Sequence, residues 1–188
     1  MKNIGRMICE GHLGGFIEGG DPRTYCPNVW DHFIHAEGVP SMVDVGCGIG
    51  VACEHFAAAG VHVTGIDGSG TAQAMFRVPG RFVLHDFTSG EIYKPGWLAW
   101  SCEFVEHVES RYLPHVMSAF RYCSMVAMTY AAPGQDGHHH VNCQPADYWI
   151  GAFAAIGFAF DEPTTLRLRT LDPDTHFAER GMVFRRCN

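Results

Sequence analysis

The sequence predicts an α/β fold: a mainly parallel, doubly wound sheet with helices on both faces and an antiparallel C-terminal edge strand. Three observations carry this prediction. From Ser41 onward, short apolar runs alternate with helix-patterned segments, the rhythm of a parallel sheet with crossover connections. The first apolar run ends in "VDVGCGIG", Val43 to Gly50, where glycines crowd the passage from strand to helix. At 188 residues the chain suits one domain with a sizeable core.

The elements follow in order. Residues 1–40 are rich in glycine and proline and read as an N-terminal arm or lid, with residues 41–188 as the main domain. Within the arm only "PNVWDHFIHAEG" has helical spacing, with Val29, Phe33 and Ile34 on one face and Gly38 as a stop. "SMVDVG" is the first strand of the main domain, and "VACEHFAAAG" is a helix with Gly60 just past its end. "VHVTGID" is the second strand, and "SGTAQAMFR" is a short helix that Ser69 can cap. "RFVLHDF" and "WLAWS" are the third and fourth strands. "EFVEHVESRYLPHVMSAFRYC" is helical and broken near Pro114. "SMVAMTYAA" is the fifth strand, and "ADYWIGAFAAIG" places Trp149, Phe153 and Ile156 at helical spacing. The sheet closes with "FAF" and "GMVFRR", separated by a helix-like or irregular insert.

Composition narrows the function. The formal net charge is −7. Nucleic-acid binding draws on many Lys and Arg facing phosphates, so no nucleic-acid partner is expected. No apolar run reaches the roughly 20 residues of a membrane span, and the first residues lack the apolar core of a signal peptide. The cytoplasm is the expected location. The eight cysteines are scattered without a CxxC pair, which points to reduced thiols rather than zinc sites or disulfides.

Glycine at the start of a helix permits close approach to free backbone amides, so a ligand is expected across Gly46 to Gly50. A phosphate loop would need a Gly-Lys-Ser/Thr ending, which is absent. A dinucleotide turn would need glycine where Val51 stands. Asp67 ends the second strand about 20 residues after the glycine turn, the offset at which a carboxylate meets a ribose diol in related folds. "VDVGCGIG" resembles the first motif of the class I S-adenosylmethionine-dependent methyltransferases, a Rossmann-like family. "LHDF" resembles that family's adenine-contacting segment. "SCEFVEHV" resembles the E-x-x-E-H signature of its small-molecule members. The likeness covers residues 41–131, and the arm and "HHHVNCQPADYWI" resemble uncharacterised phage and bacterial members. It implies S-adenosylmethionine as cofactor, held by Gly46, Cys47, Gly48, Gly50, Asp67, Gly68, Asp86, Phe87, Cys102 and Glu103. Asp86 would sit near the adenine amino group and Phe87 beside the ring. Asp44 is expected to hold the glycine loop by its backbone amides. Glu103 and Glu106 fit a solvated helix face, with Glu103 alternatively lining the site.

Methyl transfer to oxygen benefits from a base, and histidine is suited to it. His138, His139 and His140 follow the fifth strand on a glycine-flanked loop, and His107 is a further candidate, though better read as a structural histidine. Extended chain alternates sides, so His138 and His140 would face the site together with His139 turned away, or the reverse. A metal would need further ligands, for which Asp136, Asn142 and Cys143 are available; none is expected. The "EGGDPRTY" stretch is expected over the cofactor. No Asp/Asn-Pro-Pro-Tyr/Phe string follows the fourth strand and no Pro-Cys pair occurs, which disfavours methylation of DNA. The expected acceptor is an oxygen of a small molecule or glycan, in a pocket open or completed by a second copy in a homo-oligomer. The rival readings are a non-catalytic cofactor-binding or structural module on the same fold, and a nicotinamide-dependent oxidoreductase.

Overall fold

The structure, a computed structural model, describes residues 5–187. A hairpin opens it, with β1 (Met7–Cys9) antiparallel to β2 (Gly15–Ile17). Helix α1 (Pro27–Asp31) runs on into one wide π-type turn, His32–Ala36. Then come β3 (Ser41–Val45), α2 (Val51–Ala58), β4 (His62–Asp67), α3 (Gly70–Met75) and β5 (Phe82–Leu84). β6 (Gly96–Ser101), α4 (Leu113–Phe120), β7 (Cys123–Met128) and α5 (Ala146–Ala155) follow. The chain finishes with β8 (Phe158–Phe160), α6 (Glu162–Leu168), α7 (His176–Arg180) and β9 (Met182–Arg186).

Seven strands form one sheet in the order β5-β4-β3-β6-β7-β9-β8. The first five are parallel, and β9 runs antiparallel to both β7 and β8. The predicted fold class stands. The antiparallel C-terminal strand lies one place in from the edge, and β8 is outermost. Chain order reverses between β3 and β6, so the carboxyl ends of these two strands flank a crevice, the usual ligand position on such sheets.

Successive residues of a strand point to opposite faces, and here both faces are packed. Val43, Ile66, Val126 and Phe184 join a core with α4 and α5, through Phe120, Trp149 and Phe153. Met42, Val63, Ala127 and Val183 join a second core with α1, α2, α6 and α7, through Trp30, Phe56, Leu168 and Phe177. The arm's helix is thus part of the packing: Trp30 meets Trp100 edge-on at 6.0 Å between ring centroids.

Local chemistry sets the helix ends. Ser69 caps α3 by accepting from the Ala72 amide at 2.8 Å. Asp161 and Thr175 cap α6 and α7 in the same way. The segment after β6 departs from the expected broken helix. It makes two short 3₁₀ turns, Val105–His107 and Ser110–Tyr112, before α4. Pro114 sits in the first turn of α4, where its missing N–H has no intrahelical partner to lose. Proline therefore starts the helix instead of breaking one.

Phe184 is fully buried and stacks on Phe153, centroids 4.2 Å apart at 22°. Phe184→Ala is expected to lower unfolding free energy by about 3–5 kcal/mol in chemical denaturation. A loss under 1 kcal/mol would contradict this packing.

Candidate functional site

A cavity of about 370 Å³ opens over the carboxyl ends of β3, β4 and β6. Its floor is the glycine turn. The amides of Gly46 and Cys47 both donate to the Ile66 carbonyl, at 2.9 and 3.1 Å. The Gly48 amide donates to Asp67 Oδ2 at 2.8 Å, and the Ser69 amide donates to Asp67 Oδ1 at 2.9 Å. One carboxylate thus ties the turn after β3 to the turn after β4. Gly46 has φ +75°, and a Cβ there would lie 2.3 Å from Phe104 Cδ2, so only glycine fits. Burial raises the Asp67 pKa, against the opposing bonds from Ser69 and Gly48.

Of the residues expected to hold a cofactor, Gly46, Cys47, Gly48, Asp67, Gly68, Asp86, Phe87, Cys102 and Glu103 line this cavity. Gly50 does not. It begins α2 at φ +80° and faces the Phe76 ring. The Cys47 and Cys102 thiols are pushed well above their ordinary pKa by burial, so both are inert as nucleophiles. All eight cysteines are unpaired.

Asp44 corrects an expectation. It bonds no amide of the glycine turn; its partner is Cys53 Sγ, 3.6 Å from Asp44 Oδ2. Burial pushes the Asp44 carboxyl up to about 7, and the Cys53 bond opposes this only in part.

The hairpin supplies the roof. His12 Nε2 lies 2.9 Å from Asp86 Oδ2, and the Thr88 amide donates to Asp86 Oδ1. Burial pushes the Asp86 pKa up, but the His12 and Thr88 bonds outweigh it and the group is lowered. Phe87 is buried between His85 and Phe104, at 4.9 and 5.2 Å.

In the cavity wall, His176 Nε2 stands 3.2 Å from Asp21 Oδ2 and His176 Nδ1 stands 3.4 Å from Glu103 Oε2. Asp21 belongs to the "EGGDPRTY" stretch, so this histidine joins the arm to the turn after β6. The His176 bond lowers the Asp21 pKa, against burial. Glu103 has φ +53°, a conformation non-glycine residues seldom adopt, and its amide donates to Thr129 Oγ1 at 2.8 Å. Nothing in the sequence pattern marked His12 or His176, which reach the site from opposite ends of the chain.

Glu103 and Glu106 are not a solvated helix face. Glu106 is fully buried, and neither of its carboxylate oxygens has a hydrogen-bond partner. Burial, then the charge of Glu103, raises its pKa well above the usual range. His107 follows it, with Nδ1 3.3 Å from the His139 carbonyl and its ring 5.2 Å from that of His140. Burial, then His140, lowers the His107 pKa to about 4. His138 and His140 line the cavity, while His139 does not and holds φ +54°. His138 Nε2 lies 3.2 Å from the Gly14 carbonyl, and His140 Nδ1 lies 3.1 Å from the Gln135 carbonyl.

Solved structures place this fold in a class. The sugar N-methyltransferase KedS8 from Streptoalloteichus sp ATCC 53650 superposes with TM-score 0.68 at 13% identity, covering 91% of this chain and 90% of KedS8. The magnesium protoporphyrin IX methyltransferase ChlM from Synechocystis PCC 6803, with bound S-adenosylmethionine, gives 0.63 at 15% identity, covering 86% and 79%. The pyocyanin biosynthetic protein PhzM gives 0.57 at 13% identity; 85% of this chain matches 54% of that one. The chain therefore has the fold of the class I S-adenosylmethionine-dependent methyltransferases, and at these identities the likeness is one of fold. No protein-family model and no curated protein matches the sequence.

Asp44 makes a pH prediction. Its folded pKa of about 7 exceeds the ordinary 3.8, so between those values the folded protein keeps a proton that the unfolded chain has released. The stability this group contributes is full below about pH 4 and lost as pH rises through about 7. The ligand-free protein is expected to lose melting temperature from pH 5 to 8 more steeply than Asp44→Asn does. Parallel melting curves for the two proteins would contradict the burial assigned to Asp44.

Proposed function

We propose that the protein is an S-adenosylmethionine-dependent methyltransferase acting on an oxygen of a small molecule or glycan. The observation that carries this reading is the placement of Asp67, which clamps the glycine turn and still lines the cavity. Each oxygen of a carboxylate has two lone pairs, so both remain able to accept a ribose hydroxyl.

The charge around the cavity supports the same ligand class. Its lining includes eight carboxylate residues (Glu10, Asp21, Asp44, Asp67, Asp86, Glu103, Glu109 and Asp136) and one guanidinium, Arg23. A pyrophosphate meets repulsion there, whereas a sulfonium is attracted. This disfavours a nicotinamide dinucleotide. In the proposed arrangement Phe87 lies along the adenine ring and Asp86 accepts from its amino group.

The sulfonium supplies the methyl group, and the protein's work is to hold the acceptor in line and keep water out. His138 is the proposed base. It lines the cavity on the loop after β7 and is anchored through Nε2 to the hairpin. His139 is turned out of the cavity and leaves the set of candidates. At a pKa of about 4, His107 is neutral at pH 7 and too weak a base for an alcohol. The named functions of KedS8 and ChlM, on a sugar and a porphyrin, favour a small acceptor over a macromolecule. The unpaired cysteines fit a reducing compartment such as the cytoplasm. Among the described residues no helix is long and apolar enough to cross a membrane.

Calorimetry is expected to show binding of S-adenosylhomocysteine and none of NAD. Asp67→Ala removes charge-assisted hydrogen bonds of about 1.5–3 kcal/mol each, so affinity should fall at least tenfold. Unchanged affinity in that variant would remove the ribose assignment, and tight NAD binding would remove the cofactor class.

A further inference from the structure

We propose that Glu106, His107 and His140 form a binding site for a first-row divalent transition-metal ion at the wall of the cavity. One potential ligand atom from each residue lies within 4.8 Å of those of the other two. Four-coordinate donors about 2.1 Å from an ion stand about 3.4 Å apart, so movements of about 1 Å close the shell.

The case begins with Glu106. Its side chain has no exposure, and both carboxylate oxygens lack a hydrogen-bond donor. A buried carboxyl without a partner avoids the cost of ionisation only by keeping its proton or by meeting a cation. Among the described residues no Lys or Arg forms an ion pair with it. Glu103 stands beside it and adds negative charge. A bound cation would take the place of that proton.

The two histidines are oriented as metal ligands usually are. Such a ligand donates its other ring N–H to a carbonyl or carboxylate, which fixes the tautomer. Here Nδ1 of His107 faces the His139 carbonyl at 3.3 Å, and Nδ1 of His140 faces the Gln135 carbonyl at 3.1 Å. Donation from Nδ1 leaves the Nε2 lone pair of each ring free. The backbone holds the two halves of the site together: the Val141 and Asn142 amides donate to the Glu106 carbonyl at 2.9 and 3.0 Å. The histidine loop is thereby stapled to Glu106.

The donor set selects the ion. Two imidazoles and a carboxylate suit Zn²⁺, Mn²⁺, Fe²⁺ or Co²⁺ better than Mg²⁺ or Ca²⁺. Of the further ligands the sequence offers, neither Asp136 nor Cys143 joins the cluster. His107 and His140 line the cavity, so the ion's open positions face it. An acceptor oxygen bound there would be polarised; that last use rests on the methyltransferase reading, whereas the ion site rests on the three side chains alone.

The test is titration of the metal-stripped protein with Mn²⁺ and Zn²⁺ by calorimetry, and with Co²⁺ by visible absorbance. Glu106→Gln, His107→Ala and His140→Ala serve as variants, with circular dichroism melting as the check on folding. One ion per chain is expected, with a rise in melting temperature, and at least a hundredfold weaker binding in each folded variant. His140→Ala changes a loop residue and keeps the test open if the other two fail to fold. Absence of binding by all three ions, or equal binding by wild type and His140→Ala, would overturn the site. None of these readouts depends on S-adenosylhomocysteine, so failure of the metal site and failure of the methyltransferase reading are distinguishable.

Discussion

The carboxylate of Asp67 is the constraint on which the candidate site depends. It accepts from the Gly48 amide on one side and the Ser69 amide on the other. Hydrogen bonds to a charged group contribute about 1.5–3 kcal/mol each, enough to oppose the cost of burying the carboxyl. In return the turn after β3 is fixed against the turn after β4, and α2 and α3 leave the sheet from fixed points. Phe104 packs so close to Gly46 that a Cβ there would lie 2.3 Å from its ring. The positive φ of the glycines and the burial of Asp67 are two sides of one arrangement.

The same region concentrates buried carboxyl groups. Asp44, Asp67 and Glu106 all lie at or beside the carboxyl ends of the central strands, and burial raises the pKa of each. Carboxyl groups shifted by burial cluster at functional sites. For the crevice the proposed visitor is a sulfonium, and for the Glu106 pocket a metal ion. The arm completes the enclosure through polar links, His12 to Asp86 and Asp21 to His176.

Much of the fold was legible because its signals are local. Alternation of strand and helix, the glycine cluster and Ser69 before a helix each speak within a few residues. Gly46, Gly48 and Asp67 could be picked out by the same reasoning, although the bond between Gly48 and Asp67 could not. What stayed hidden is non-local. The three-residue strands β1 and β2 are too short to show a period. His12 and His176 gain meaning only when the hairpin and the start of α7 arrive at the sheet. Glu106 reads as surface because its neighbours Glu103 and His107 are polar too; the loop whose Val141 and Asn142 amides bond its carbonyl arrives from beyond β7. Pro114 opens α4 where the sequence predicts a break, because helix start and helix break give the same residue signal.

A crystal structure with S-adenosylhomocysteine bound tests the central claim most directly. The expected result places both ribose hydroxyls within hydrogen-bonding distance of Asp67, with the homocysteine sulfur over the glycine turn and the adenine beside Phe87. A nucleoside seated elsewhere, or an Asp67 carboxylate that keeps only its two backbone amides as partners, would contradict it.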